Sequence, residues 1–396
     1  MTAGGLTLSN SDLKLLMYSP LSLTMGAGGD RWLIEIAPRL VKNGVQPTVI
    51  ASNFVARSYR SNTTPWFVTQ LIDKGIAYSE IPTSSLFNRV NLPLLLPKAL
   101  RELSRVMKAH DLTYFMNAYA LQDITLSLAK FISGGAKVMS SQHATMFQEG
   151  LLHNLYVRLV TRPFLRTFDS HHVLNREDFA RYREWKISNV YLLPNGVDTK
   201  RFVPLATKDD SAFTVLFVGR LDYQKGIDIT LDAMRELESS NPALASKINL
   251  KICGTGPMSD TVDDFASKRN NVSYLGYVSD ADLLEYYKSV SICLMPSRRE
   301  TFGLVAMEAM ASGTPILVTD IPGPRTFVDE SFGRMVPPEN PKALSEALAW
   351  YYRLFSEAPQ ELRAMGNRAR DICIREYDWD IVARKLANNM KQTVYS

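Results

Sequence analysis

Glu300 and Glu308 flank a mostly apolar run in RRETFGLVAMEAMASGTPILVTD, Arg298–Asp320. Acids kept beside such a run serve either in a satisfied ion pair or in a binding site. A carboxylate takes two strong hydrogen bonds from a vicinal diol, the group that sugars and ribose present. Glu300 follows the apolar stretch VSICLMPS and falls on a loop, where it can accept from hydroxyls. The next helix is expected to begin close to Phe302–Gly303, leaving the backbone N–H groups of Thr301, Phe302, Gly303 and Leu304 to a ligand. Glu308 lies further along that helix. A salt bridge on a solvated face is its competing role, but Val305, Ala306, Met307, Ala309 and Met310 make such a face narrow.

Other stretches place charge and glycine in similar settings. FTVLFVGRLDYQKGIDITLDAM reads strand, loop, helix, with Arg220 and Lys225 in the loop and Gly226 near the helix start. Two cations beside a helix N-terminus suit a diphosphate; a solvated loop that holds two basic residues is the alternative. INLKICGTGP ends a strand with Gly254 and Gly256, fitted either to close approach of a ligand or to a simple tight turn. It is not the G-x-G-x-x-G fingerprint, because Met258 and Ser259 follow Pro257. In SPLSLTMGAGGDRWLIEIAPRL, Gly28 and Gly29 are expected just before a helix, where a phosphate or sugar would meet N–H groups; a flexible turn is the other reading. His143 ends the strand VMSSQH, at a position fit for a ligand contact, whereas His110, His153, His171 and His172 read as structural. YVSDADLLEYY contains a D-x-D, Asp280 and Asp282, that would suit a metal-bound nucleotide. Ser279 and Asp282 also have capping-box spacing ahead of a helical pattern, and the cap is the favoured reading. No other carboxylate cluster resembles a metal site.

The elements that must position these residues follow an α/β rhythm. LKLLMYSP, VQPTVIAS, LTYFMN, AKVMSSQH and SHHVLN read as strands in the first half; FTVLFVGR, INLKICGTG, VSYLGYV, VSICLMPS and PILVTD in the second. Helical patterns between them imply two parallel sheets, hence two Rossmann-like domains facing a central cleft. The join is expected within residues 192–205, LLPNGVDTKRFVPL, giving domains of 1–195 and 196–378 and a last helix, 379–396, packing back on the first. Ligands of such sheets bind at the carboxyl ends of strands, where the residues above fall.

Composition narrows the class. The 396 residues are 46% apolar and 21% charged, ordinary for a soluble globular protein. No stretch reaches the ~20 apolar residues of a membrane span, and no signal peptide is expected from the opening MTAGGLTLSNSDLK. Cys253, Cys293 and Cys373 read as buried free thiols of a reducing cytoplasm, and Asn62 and Asn271 head N-x-S/T triplets taken as chance. Residues 1–200 carry 22 Lys and Arg against 14 acids, and the remainder 23 against 26. The basic first half suits an anionic partner such as a membrane surface or a phosphorylated substrate; nothing calls for nucleic acid. Residues 96–110, LPKALRELSRVMKAH, set Leu100, Leu103 and Met107 on one face and Lys98, Arg101, Arg105 and Lys108 on another. That helix either rests on an anionic membrane or packs on a sheet with a solvated basic side.

Taken in order, PNGVDTKRF, VGRLDYQKGID, ICGTGP, LGYVSDADLLEYY, PSRRETFGLVAMEAMASGTPIL, GRMVPPENPKALSEAL and YDWDIVARKL resemble glycosyltransferase family 4, retaining enzymes of the GT-B fold. The resemblance covers most of the second half; the first half matches loosely, as an acceptor domain would. It implies transfer of a hexose-type sugar from a UDP- or GDP-sugar, with no cofactor and no metal. Arg220 and Lys225 would hold the diphosphate, Glu308 the ribose hydroxyls, and Glu300 with the backbone after it the donor sugar. His143 would contact the sugar and align the acceptor, with Gly28, Gly29 and Gly254 lining the site. No carboxylate stands out as the nucleophile a double displacement needs, so a same-face mechanism fits better. DIPGPRTFVDE departs from the family, with Pro324, Arg325 and Thr326 where a Gly-rich turn and glutamate are common. The expected acceptor is a lipid-linked sugar or glycan precursor at the cytoplasmic membrane face. The alternatives are a GT-B nucleotide-sugar epimerase and a noncatalytic protein binding nucleotide sugars or anionic lipid.

Overall fold

The computed structural model describes residues 12–25, 28–56, 63–85, 88, 93–117, 121–143, 151–206, 208 and 211–396; Asn62 and the side chain of His153 lie outside them. The described chain divides into two compact units. One holds the residues up to Val173 with Asp178–Leu193 and Ala383–Ser396; the other holds Leu174–Glu177 and Pro194–Val382.

The first unit is built on seven strands: β1 (Leu13–Ser19), β2 (Val45–Ser52), β3 (Ala77–Ile81), β4 (Leu112–Asn117), β5 (Val138–Gln142), β6 (Ser170–Val173) and β7 (Val190–Leu192). They pair in the order β3-β2-β1-β4-β5-β6-β7, parallel throughout. The second unit has six: β8 (Phe213–Val218), β9 (Ile248–Cys253), β10 (Val272–Gly276), β11 (Ile292–Met295), β12 (Ile316–Thr319) and β13 (Gly333–Val336). Their order is β10-β9-β8-β11-β12-β13, again all parallel. Two parallel sheets with helices between successive strands are the α/β architecture that the apolar rhythm predicts. In each sheet the order reverses beside the first strand of its unit, between β1 and β4 and between β8 and β11. Such a reversal splays the loops apart and opens a crevice at the carboxyl ends.

Burial on both faces makes β11 (ICLM) and β12 (ILVT) read as apolar runs, whereas β5 (VMSSQ) and β6 (SHHV) bury serine, glutamine and histidine side chains. β5, β6, β11 and β12 have every residue buried. Each fully buried Val, Leu, Ile or Met contributes about 1.5–3 kcal/mol, so the apolar burial in β11 and β12 is a large share of what holds the second sheet. β3, β7 and β13 were not anticipated. All three are edge strands: β3 is mostly exposed, β7 has three half-buried residues, and β13 alternates weakly as Gly-Arg-Met-Val.

The basic helix Pro97–Lys108 buries Ala99, Leu103, Ser104 and Met107 and exposes Lys98, Arg101, Arg105 and Lys108, as a sheet-packing helix would. Ser279 caps the helix Asp280–Ser289: its Oγ accepts from Asp282 N at 3.2 Å and donates to Asp282 Oδ2 at 2.7 Å. Asp280 pairs with Arg201 at 2.8 Å, so both acids of the D-x-D are engaged around the helix start. Cys253, Cys293 and Cys373 are free and buried, and burial pushes the Cys253 thiol up to about 11. Asn271 donates to the carbonyls of Ala245 and Ile248, a structural use of its amide. The helix Trp379–Tyr395 ends in the first unit, where Lys137 Nζ donates to the Thr393 and Val394 carbonyls and Thr393 Oγ1 bonds Ser170 Oγ at 2.8 Å. No helix among the described residues is long and apolar enough to cross a membrane.

Candidate active site

In the second unit the loops after β8 and β11, at the reversal of strand order, are sewn together. Arg298 is the seam. Its guanidinium forks onto Asp228 at 2.7 and 2.8 Å, reaches Glu339 at 2.7 Å and lies 3.5 Å from the centre of the Tyr223 ring. Hydrogen bonds to Asp228 and then Glu339 hold its pKa above the usual arginine value. Its backbone N donates to Gln224 O at 2.9 Å and its side chain to Tyr223 O at 2.6 Å. The short 3-10 turn Tyr223–Lys225 is therefore fixed against the β11 loop before any ligand arrives.

On that frame the structure brings two expected site residues into contact. Lys225 Nζ forms an ion pair with Glu300 Oε1, with the two side chains 29% and 14% exposed. Ser297 Oγ stands 3.2 Å from the same oxygen. The sequence assigns Lys225 to a diphosphate and Glu300 to sugar hydroxyls; the fold also pairs them with each other. Arg220 pairs with Asp222 at 2.5 Å, and the other Asp222 oxygen accepts from Lys225 N at 3.0 Å. Arg220, Lys225 and Glu300 thus form one network around Asp222.

The helix after Glu300 runs Leu304–Ala311, with Gly303 at its N-cap and no side chain capping it. Its first N–H groups point along the helix axis with the positive end of the macrodipole, a setting for an anion. From Ala306 to Ala311 every residue is buried, as expected of a helix apolar all round. Glu308 sits inside this core, 5% exposed, and accepts from Tyr287 Oη at 2.9 Å. It does not lie on a solvated face.

Two glycines show how closely the loops pack. Gly254 has φ +133, and a Cβ there would lie 1.9 Å from Gly219 O; this contact between the β8 and β9 loops accounts for the glycine without a ligand. Gly323, in the stretch that departs from the family pattern, approaches the Glu300 loop, where a Cβ would lie 2.7 Å from both Glu300 O and Phe302 O. Beyond it Arg325 is held by Asp320 at 2.5 Å, and Thr326 Oγ1 accepts from Arg176 N at 3.3 Å. Thr301 O accepts from Asn175 Nδ2 at 3.3 Å.

The first unit places its candidates at the reversal beside β1 and β4. Gly28 and Gly29 open the helix Gly28–Val41 instead of preceding it, so their N–H groups belong to its unsatisfied first turn. A Cβ on Gly29 would meet Met116 Cε at 3.3 Å. His143, half-buried, follows β5. It packs edge-on to Trp32, with ring centres 4.7 Å apart, and its Nε2 is 3.2 Å from Tyr114 Oη. The same hydroxyl lies 2.6 Å from Nδ1 of buried His172, whose Nε2 is 2.6 Å from Leu193 O. Burial, helped by the nearby His172, holds the His143 pKa well below the usual imidazole value; burial also pushes His172 down to about 4. Both rings are neutral at physiological pH. His172 had read as an isolated structural histidine. Tyr114 of β4, His172 of β6 and His143 just after β5 converge only once the sheet has formed, so no local spacing announces them. His171 points to another setting, with Nδ1 2.8 Å from Ser140 Oγ.

The comparisons with known proteins agree along the chain. Residues 199–371 match the family model for glycosyl transferases group 1, and residues 26–201 the model for glycosyltransferase family 4. The chain is 34% identical over 192 residues to an uncharacterized glycosyltransferase of Methanocaldococcus jannaschii, covering 47% of this chain and 46% of that protein. It is 28% identical over 283 residues to a phosphatidyl-myo-inositol mannosyltransferase of Mycobacterium tuberculosis, covering 68% and 70%. The chain therefore spans about half the length of the first relative and 70% of the second. In fold it resembles a Rickettsia africae glycosyltransferase, with TM-score 0.75, 16% identity and coverage of 97% and 99%. It also resembles Anabaena HepE, crystallised with UDP and glucose, with TM-score 0.73, 17% identity and coverage of 96% and 100%.

Proposed function

We propose that this chain, which belongs to glycosyltransferase family 4 and has its GT-B fold, moves a hexose-type sugar from a UDP- or GDP-sugar to a hydroxyl acceptor with retention. The observation that carries the reading is the Arg220–Asp222–Lys225–Glu300 network beside the uncapped N-terminus of the helix Leu304–Ala311. Two cations and a helix N-terminus together suit a diphosphate. In this reading Arg220 and Lys225 hold the two phosphates, and the N–H groups from Thr301 to Leu304 complete the cradle. Glu300 steadies Lys225 and accepts from donor-sugar hydroxyls. Glu308 takes the ribose diol, Gly254 is assigned to the donor, and Gly28 and Gly29 are assigned to the phosphates or the acceptor on the family resemblance.

The chemical step follows from that placement. The bond from the anomeric carbon to the phosphate oxygen breaks as charge builds on the leaving diphosphate. The acceptor oxygen attacks from the same face, and its proton passes to the departing phosphate oxygen. Donors preorganised where charge develops supply the largest share of such a rate enhancement. His143 aligns the sugar. We assign the neutralising role to Arg220, Lys225 and the helix terminus and none to a metal, so chelation with EDTA should leave the rate unchanged.

The test is a panel of nucleotide sugars scored by thermal shift and then by transfer. A ligand at 100 times its Kd stabilises by about 2.7 kcal/mol, a readily measured rise. Glu308→Gln should weaken donor binding about tenfold. If no UDP- or GDP-sugar raised the melting temperature, the donor assignment would fall. Turnover of donor without acceptor to an epimeric sugar would favour the epimerase reading, and donor binding without any turnover a noncatalytic one.

For the acceptor we favour a lipid-linked sugar at a cytoplasmic membrane face. The name of the mycobacterial relative supports a lipid substrate for that protein. Lys98, Arg101, Arg105 and Lys108 are exposed on one helix. Elsewhere in the first unit, Leu151, Leu155 and Leu159 are 83%, 47% and 65% exposed, with Arg158 and Arg166 exposed near them. Apolar side chains next to cations suit the interface of an anionic bilayer. Equal sedimentation with neutral and anionic vesicles at low salt would rule this surface out.

A further inference from the structure

The hydrogen bonds behind His143 have only one consistent direction, and it sets what the ring offers a ligand. β4 and β5 pair Tyr114 with Met139, and β5 and β6 pair Ser141 with His172. Alternate residues share a sheet face, so Tyr114, Ser141 and His172 lie on the same side. Ser141 is small enough to let the Tyr114 and His172 side chains meet across the middle strand. The chain of contacts ends on Leu193 O, 2.6 Å from His172 Nε2. A carbonyl can only accept, so the neutral His172 ring carries its proton on Nε2 and presents Nδ1 as an acceptor. Tyr114 must then give its one proton to His172 Nδ1, at 2.6 Å. With that proton committed, Tyr114 Oη can meet His143 Nε2, at 3.2 Å, only as an acceptor.

We propose that Tyr114 and His172 are positioning residues that fix His143 as its Nε2–H tautomer, leaving Nδ1 to accept a hydrogen bond from a substrate hydroxyl. Among the described residues His143 Nδ1 has no hydrogen-bond partner, and it is not among the buried unsatisfied atoms. Trp32 fixes the ring planes, stacking on Tyr114 at 5.2 Å and 12° and meeting His143 at 62°. Burial keeps both imidazoles neutral, so the direction set at Leu193 O persists across physiological pH. The identity of the hydroxyl as one on a sugar rests on the transferase reading; the tautomer does not.

The test is a long-range nitrogen–proton correlation spectrum of the full chain, labelled at its histidine ring nitrogens and recorded without substrate. The expected spectrum shows His143 protonated on Nε2 with a bare Nδ1. In Tyr114→Phe, His172 keeps its Nε2 proton while His143 becomes a mixture of tautomers, and the transfer rate drops tenfold or more. His172→Asn retains an acceptor near the Nδ1 position, so it should preserve the His143 tautomer; it also serves if Tyr114→Phe does not fold. Protonation of His143 on Nδ1 in the wild type overturns the proposal, as does an unshifted tautomer in Tyr114→Phe. A shifted tautomer with an unchanged transfer rate overturns the acceptor role. Failure of the transferase reading would show differently, as a wild-type protein with the expected spectrum and no sugar transfer.

Discussion

Replacing Lys225 by methionine separates stability from catalysis, because this one side chain forms an ion pair with Glu300 in the structure and is proposed to hold the donor diphosphate. Methionine keeps most of the aliphatic stem and removes the charge. Two unit charges 4 Å apart attract by about 4 kcal/mol at an effective dielectric of 20. Desolvation and side-chain ordering return most of that, and partly exposed pairs are worth about 1 kcal/mol net. The Lys225 side chain is 29% exposed, and Glu300 keeps the Ser297 hydroxyl at 3.2 Å, so the stability cost of Lys225→Met should be about 1 kcal/mol. For a domain of this size that lowers the melting temperature by roughly 2–4 °C. Catalysis should suffer more. Removing one donor from a site of developing charge costs about 100- to 1000-fold in kcat, or roughly 3–4 kcal/mol. Because Lys225 and Glu300 touch, losses in Lys225→Met and Glu300→Gln should fall short of additive in the double variant by about 1 kcal/mol or more. Steady-state kinetics on the four proteins, with thermal melts alongside, complete the cycle. A Lys225→Met enzyme whose kcat stays within threefold of wild type, despite the expected melting shift, would refute the leaving-group role. Strict additivity would refute the coupling.

Other expectations concern the frame. His171 and His172 are pushed down to about 3 and about 4 by burial, and His143 lies well below its usual value. Between those values and the unfolded value near 6.5 the unfolded chain binds more protons, so stability should be complete above about pH 6.5 and decline as pH falls. From pH 6.5 to 5 the loss should be about 2 kcal/mol each for His171 and His172, and melting curves insensitive to pH over that range would contradict their burial as neutral rings. Gly254→Ala would set a Cβ 1.9 Å from Gly219 O at φ +133 and should destabilise the second unit by about 2–4 kcal/mol. An unchanged midpoint in chemical denaturation would mean that the β8 and β9 loops are not packed as described.

What the sequence by itself determined was whatever is written in contiguous residues. Interior strands such as β11 (ICLM) and β12 (ILVT) announced themselves because burial on both faces favours apolar runs. The cap at Ser279 was legible because its partner, Asp282, lies within one turn. The buried setting of Glu308 was legible from its apolar neighbours. Edge strands β3, β7 and β13 were not, since a strand covered on fewer sides need not be apolar. The tertiary structure alone decided how the site residues meet. Lys225 and Glu300 are 75 positions apart, and Tyr114 and His172 are 58 apart. Which of them touch depends on strand order, and sheet order is a long-range property that no window of sequence contains. For the same reason Gly254, readable locally as a place for a ligand or for a turn, proved to be where one loop lies against another.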